Sequence, residues 1–311
     1  MSAGGGKKAI LAALSANLGI AIAKFVGAAI TGSASMLAEG VHSVADTGNQ
    51  GLLLLGQKRA EQEADEKHQF GYGRNRYFYS FVVALVLFSL GAMFSLYEGI
   101  HKIQHPEELT SPIVAIVILV LAVGLEGFSF VTAMRESAPL RGSLSWWRFI
   151  RNSRNPELPV VLLEDTGALI GLVFALAAVL LTMITGDPIW DGIGTLCIGA
   201  LLGAIAIVLI VEMKSLLIGE GATPDQTRKI RENLVDGDRI DRVIHLRTEY
   251  LGPEELLIAA KVSIVPGLEI TDIAQAIDDA EFRVRTAVPT AKLMYIEPDL
   301  YRSGAATESN R

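Results

Sequence analysis

Long apolar runs alternate with short polar, basic segments through most of the chain, and past Gly219 the pattern changes. Six runs have the ~20-residue length that a spanning helix needs. They lie near Ala9–Ile30, Ser35–Gly56, Tyr77–Ile103, Ile113–Ala133, Leu158–Thr185 and Ile189–Leu216. After Gly219 the periods shorten. Thr223-Pro224-Asp225-Gln226 reads as a helix start, with proline at the first helical position and glutamine three after the threonine cap. Ile230 and Leu234 continue that helix's apolar face. Val243–Tyr250 reads as a strand joined through Gly252-Pro253 to a second, in which Ile258, Ala260, Val262 and Ile264 alternate. Ile273, Ile277, Ala280 and Val284 mark another helix, and Ala291–Glu297 a last strand. The expected architecture is an all-α six-helix transmembrane bundle followed by a small α+β cytosolic domain. Its parts are a tail at 1–8, the spans at 9–218, the soluble domain at 219–300 and a disordered polar tail at 301–311.

Composition agrees with that division. The chain has 311 residues, 50% of them hydrophobic, with mean hydropathy +0.39, which suits a polytopic membrane protein with a soluble part. The net charge of −7 and the lack of a concentrated basic patch argue against nucleic-acid binding. The single cysteine, Cys197, rules out a disulfide framework or a multi-thiolate metal site within one chain. MSAGGGKK leads into an apolar stretch with no A-x-A-like cleavage site, so that stretch reads as a retained helix. Lysines and arginines of the short loops fall almost entirely on one side, from Lys7 and Lys8 through Lys58, Arg59, Lys67, Arg74 and Arg76 to the arginines of 135–154. Lys102 stands alone on the other side. The positive-inside rule then places both termini in the cytosol of a multi-pass protein. The long loop Glu136–Glu157 holds SLSWWRFIRNSRN, which reads as a short helix at headgroup level, a basic lipid-facing anchor.

Ionisable residues inside two of the apolar runs change the picture most. Glu39, His42 and Asp46 occur at i, i+3 and i+7 in the second run and share one helical face. Glu164 and Asp165 interrupt the fifth. Charges at membrane depth are costly and mark pathways, relays or paired networks. Asp165 lies roughly 10 Å and Asp46 about 15 Å from the cytosolic ends of their spans at 1.5 Å per residue, so with helix tilt they meet. Imidazole with carboxylates is a donor set for a divalent ion such as Zn2+. The bland alternative is a His–carboxylate network that only joins helices. Four or five such groups on two helices make an ion site the better reading. Glu126, near the middle of the fourth run, suits a proton path or an outer hydrogen bond equally well. Asp187 and Asp191, which bracket Pro188, read as a turn and a helix cap.

TGSASMLAEGVHSVADTGNQ in the second run, HQFGYGRNRYFYS in the following loop and HLRTEYLGPEELLI in the soluble part resemble the cation diffusion facilitator family of metal transporters. E-x-x-H-x-x-x-D followed by N-Q, with L-E-D-T in the fifth run, looks most like the branch that holds the ninth human zinc transporter. The resemblance implies proton-coupled metal export by a homodimer, metal between spans two and five, and a ferredoxin-like dimerising domain. By that resemblance His42 and Asp46 fill the span-two ligand positions and Asp165 the second of span five. The first is Val161, which cannot bind metal; Glu164 is the favoured replacement and Glu39 the other candidate. Asp65 and His68 match two ligands of a secondary loop site whose further histidine is Tyr72 here. The histidine positions of the soluble domain are Ile244, Ala260 and Tyr295, and His245 is the one histidine left there, so that domain reads as a dimer scaffold.

The expected function is efflux of a divalent cation, Zn2+ ahead of other metals, exchanged for protons by alternating access, in a plasma membrane of bacterial type. Zinc is cargo, protons and the lipid bilayer are the other partners, and no enzyme activity is expected. An intramembrane hydrolase would prefer H-E-x-x-H with a general base, which the chain lacks. A membrane metal sensor or assembly subunit that binds metal without transport is the remaining alternative.

Overall fold

The structure, a computed structural model, describes residues 18–301. The expected tail at 1–8, the first half of the first span and residues 302–311 lie outside the described residues. Two compact units are formed. One comprises the chain up to Lys58 with Phe78–Lys214, and the other Arg59–Tyr77 with the chain from Ser215 onward.

The first unit is helical. α1 is described over Leu18–Thr31, α2 is Ala34–Ala60 and α3 is Asn75–Gln104. α4 is Pro112–Arg141, the short α5 is Trp146–Asn152, α6 is Glu157–Thr185 and α7 is Ile189–Ile218. Where six spans were expected, four helices among the described residues are both long and apolar enough to cross a membrane: α3, α4 over Pro112–Pro139, α6 and α7. α2, with 27 residues, is about 40 Å long at 1.5 Å per residue and has the length but not the apolarity. Its glutamate, histidine and aspartate, together with Asn49 and Gln50, lower it. Side chains such as Leu121, Phe128 and Ile184 stand exposed on the outer faces of α4 and α6, as lipid-facing residues do.

Two local expectations shift. α4 runs past Pro139 to Arg141 and stops at Gly142, whose φ is +57°, so the following loop begins later than Glu136. α5 forms as expected and starts on Ser145, whose side chain accepts a hydrogen bond from the Arg148 N–H. Yet Phe149 and Ile150 are buried, and only Trp147 is the exposed aromatic of the proposed anchor. The Arg141 guanidinium lies 4.5 Å from the Trp146 ring centre, within cation–π range.

The second unit contains α8 (Pro224–Leu234), β1 (Ile240–Gly252), β2 (Glu255–Ile264), α9 (Ile270–Ala287) and β3 (Ala291–Asp299). The α-β-β-α-β order is the one that the pattern predicts. The sheet order is β1-β2-β3, with β1 antiparallel and β3 parallel to the central β2. Ile258, Ala260, Val262 and Ile264 all point into the core, against Ile230 and Leu234 of α8 and Ala276, Ala280 and Val284 of α9. The capping box is present at both ends: Thr223 Oγ1 accepts from the Gln226 N–H at 3.3 Å, and Gln226 Oε1 from the Thr223 N–H at 3.0 Å. The Arg59–Tyr77 loop belongs to this unit because Arg74 pairs with Glu249 and Gly73 lies against β1. A Cβ on Gly73 would come within 2.8 Å of the Leu251 carbonyl oxygen, so only glycine permits that approach.

Candidate metal site

Near its start α2 is buried almost continuously, and its polar side chains are sorted by what α1 and α6 offer them. Lys24 of α1 is wholly buried; its ammonium donates to Glu39 Oε2 at 3.0 Å and to Ser43 Oγ at 2.7 Å. A lone charge there would be prohibitively costly, so each member requires the other. The second oxygen of Glu39 faces α6, where a Cβ on Gly171 would sit 2.5 Å from it. Glycine at that position is therefore what lets α6 approach the carboxylate.

One turn further, His42 is 1% exposed and its Nε2 lies 3.4 Å from Asp46 Oδ2. Neither ring nitrogen has a hydrogen-bond partner. The π-helical segment Leu87–Met93 of α3 carries Gly91 beside this ring: a Cβ there would lie 3.9 Å from His42 Nδ1. π-turns within α-helices recur at functional positions.

Beyond His42, Asp46 shares a small cleft with Ser43, Gln50, Glu126, Ser129, Val161, Glu164 and Asp165. The cleft's volume of about 20 Å³ holds one water-sized particle, since a water needs roughly 10–15 Å³ on that measure. Glu164 is held from α2 by Asn49, whose Nδ2 donates to its Oε1 at 2.6 Å. Asp46 Oδ1 and Asp165 Oδ2 are buried without a partner. Buried acceptors left unpaired cost about 1–3 kcal/mol each, and a water or a cation in the cleft would satisfy more than one of them.

His42 and Asp46 are thus adjacent, and Asp46, Glu164 and Asp165 line one cleft, with Val161 on its wall. Glu39 is outside that cleft, drawn to Lys24. Among the described residues no three His, Cys, Asp or Glu side chains stand in a geometry that would hold a metal without movement. Glu126, which the sequence left between two roles, lines the cleft; Gln50 and Ser129 were not foreseen, since a polar residue of this kind in an apolar run carries no period of its own.

The other flagged carboxylates have different uses. Asp191, at the start of α7, caps α2 rather than its own helix. It is fully buried and accepts from Ser33 Oγ at 2.8 Å, Ser35 Oγ at 2.5 Å, the Ala34 N–H at 2.6 Å and the Ser35 N–H at 3.3 Å. Lys102 closes the same turn, donating to the Gly32 carbonyl at 2.8 Å. Asp187 makes the expected turn through the Ile189 N–H.

In the second unit Asp65 and His68 stand side by side, Nδ1 to Oδ1 3.4 Å, both exposed. Asp65 Oδ1 also accepts from the Lys67 and His68 N–H groups, and its Oδ2 from the Tyr72 hydroxyl at 2.6 Å. The Tyr72 hydroxyl first, then the His68 N–H, hold this carboxyl below its usual range. His245 Nε2 accepts from Arg247 Nε at 2.9 Å.

Comparison with known proteins bears on what these groups serve. Residues 10–218 match the cation efflux transmembrane domain. The chain is 36% identical over 243 residues to the mitochondrial proton-coupled zinc antiporter SLC30A9 of Mus musculus, covering 77% of this chain and 42% of that protein. It is 28% identical over 258 residues to metal tolerance protein C4 of Arabidopsis thaliana, 82% of this chain and 56% of that one. Magnetosome protein MamB of Paramagnetospirillum magneticum is 24% identical over 284 residues, 90% of this chain and 89% of its own. The chain thus spans less than half the length of the SLC30A9 protein. With its apolar helices, its intramembrane carboxylates and a transmembrane match covering most of its length, this multi-pass membrane protein belongs to the cation efflux, or cation diffusion facilitator, family, a family of transporters and not of enzymes.

Proposed function

We propose that this protein exports a divalent metal, Zn2+ in the first instance, in exchange for protons, with the ion held in the cleft between α2 and α6. The observation that carries the proposal is the cleft itself: a one-ion volume inside a cation efflux domain, lined by Asp46, Glu164 and Asp165, with His42 against Asp46. The name of the SLC30A9 relative supports zinc and proton coupling. His42, Asp46 and Asp165 are the proposed ligands. Glu164 completes the set in place of the residue that Val161 does not supply. Glu39 is left out because Lys24 holds it, and Glu126 is placed beside the site as a carboxylate able to take a proton.

Loading needs neutral imidazole and ionised carboxylates, so metal and protons compete for the same atoms. With both termini cytosolic, protonation from the opposite side releases the metal there, and the proton gradient drives export. That orientation gives export across a bacterial-type plasma membrane, or from the matrix across a mitochondrial inner membrane. Imidazole in a four-donor site favours Zn2+ over Mg2+ or Ca2+. Asp65 and His68 are at most a weak secondary site, since Tyr72 and two backbone N–H groups already use the carboxylate. A homodimer through the α+β unit completes the proposal.

The test is Zn2+ flux into proteoliposomes under an imposed pH gradient, for wild type, His42→Ala, Asp46→Ala and Asp165→Ala. Gradient-dependent flux in wild type, lost in each variant, is expected. Unchanged flux in the aspartate variants would refute the site. No flux of any divalent ion through folded wild type would favour a metal-binding protein that does not transport.

A further inference from the structure

We infer a second cation site, separate from the central cleft, formed by His101 and His105 at the C-terminal end of α3. It goes beyond the transport reading, and its binding test does not depend on it. The two histidines are four residues apart, His101 in the last turn of α3 and His105 its C-cap residue with φ −128° and ψ 72°, and i, i+4 is the spacing at which paired histidines hold zinc. Both side chains are exposed. Their rings stack with centres 4.9 Å apart and planes 30° from each other, and Tyr97 backs the His101 ring at 6.2 Å. The His105 N–H donates to the His101 carbonyl at 2.8 Å, which ties the second histidine to the last helical turn.

Three features favour a cation at this spot. The end of α3 presents the negative pole of the helix. The Lys102 ammonium, between the two histidines, is already engaged: it is 4% exposed, donates to the Gly32 carbonyl and lies 4.0 Å from Glu107 Oε2. Past Pro106, the exposed Glu108 carboxylate adds negative potential, while that of Glu107 is offset by Lys102. Two imidazoles without a thiolate or a third protein donor select borderline ions, Zn2+, Ni2+ and Cu2+, over Mg2+ and Ca2+. Water fills the remaining positions, so the site binds less tightly than a four-ligand structural centre. Lys102 is the one basic residue on this side of the membrane domain. Under the orientation proposed above, the pair therefore sits where exported metal emerges.

The test is Zn2+ titration by calorimetry of the full chain in nanodiscs, in wild type and in an Asp46→Ala/Asp165→Ala background, each with and without His101→Ala or His105→Ala. We expect either histidine substitution to weaken one equivalent of Zn2+ by about a hundredfold in both backgrounds, the lower range of what a second tethered donor adds. Cu2+ bound in the aspartate-free background should show two nitrogen donors by electron paramagnetic resonance. Both histidines are on the surface, so these variants should fold. Zn2+ binding unaltered by His101→Ala and His105→Ala in wild type overturns the inference, as does a Cu2+ spectrum with fewer than two nitrogens. Should the aspartate substitutions remove no binding while the histidine ones do, the cleft reading fails and this site stands.

Discussion

Replacing Asp191 by alanine should destabilise the membrane unit far more than an ordinary change in a connecting turn. The carboxylate accepts two backbone N–H groups, Ala34 and Ser35, and two hydroxyls, Ser33 and Ser35. The hydroxyl oxygens are 3.0 Å apart and can bond to each other once the carboxylate is gone. The two N–H groups at the buried start of α2 cannot, and each costs about 1–3 kcal/mol unpaired. The expected loss is about 4 kcal/mol. At roughly 2–4 °C per kcal/mol for a unit of this size, Tm should fall by about 8–16 °C. Asp191→Asn keeps a carbonyl acceptor and should lose less. Asp187→Ala, which frees one exposed N–H, is the control. The assay is thermal unfolding of the purified chain in detergent, followed by intrinsic fluorescence. A Tm for Asp191→Ala within about 2 °C of the Asp187→Ala value would refute the reasoning, because the cap would then contribute no more than a surface turn.

Lys24→Met and Glu39→Gln should each cost about 3–5 kcal/mol by stranding a buried charge, while the double variant recovers most of that loss; strictly additive losses in denaturant titrations would deny the pair. Tyr72→Phe removes the hydroxyl that lowers the Asp65 pKa, so that pKa should rise towards its usual ~3.9; a carboxyl NMR titration reads it, and an unmoved midpoint would discount the hydroxyl. Because folding depresses this pKa, the 65–72 turn should be fully held above the usual carboxylate range and loosen as pH falls through the depressed value. His68 amide protection, taken relative to the intrinsic exchange rate at each pH, checks the sign: protection that rises on acidification would reverse it.

Much of this architecture follows from local periodicity. Helix α2 places Glu39, His42 and Asp46 on one face because 3.6 residues make a turn. Thr223 and Gln226 close a capping box because both donors and both acceptors lie within four residues. The alternation Ile258 to Ile264 faces the core because strand side chains repeat every second residue. Each of these signals lies within a few residues of the chain, where backbone geometry alone decides which side chains meet.

Distant partners were decided by packing. Glu39 has the spacing of a ligand, yet Lys24, fifteen residues earlier, claims it, because a buried ammonium must find a carboxylate. Asp191 reads as a cap in a turn, but the helix it caps begins 157 residues earlier. The Arg59–Tyr77 loop joins the α+β unit through Arg74 and Gly73, whose partners in β1 are far along the chain. The residue types that must be satisfied when buried were legible in the sequence itself. Which groups satisfy them depended on the order in which the helices pack, and that order exists only in the tertiary structure.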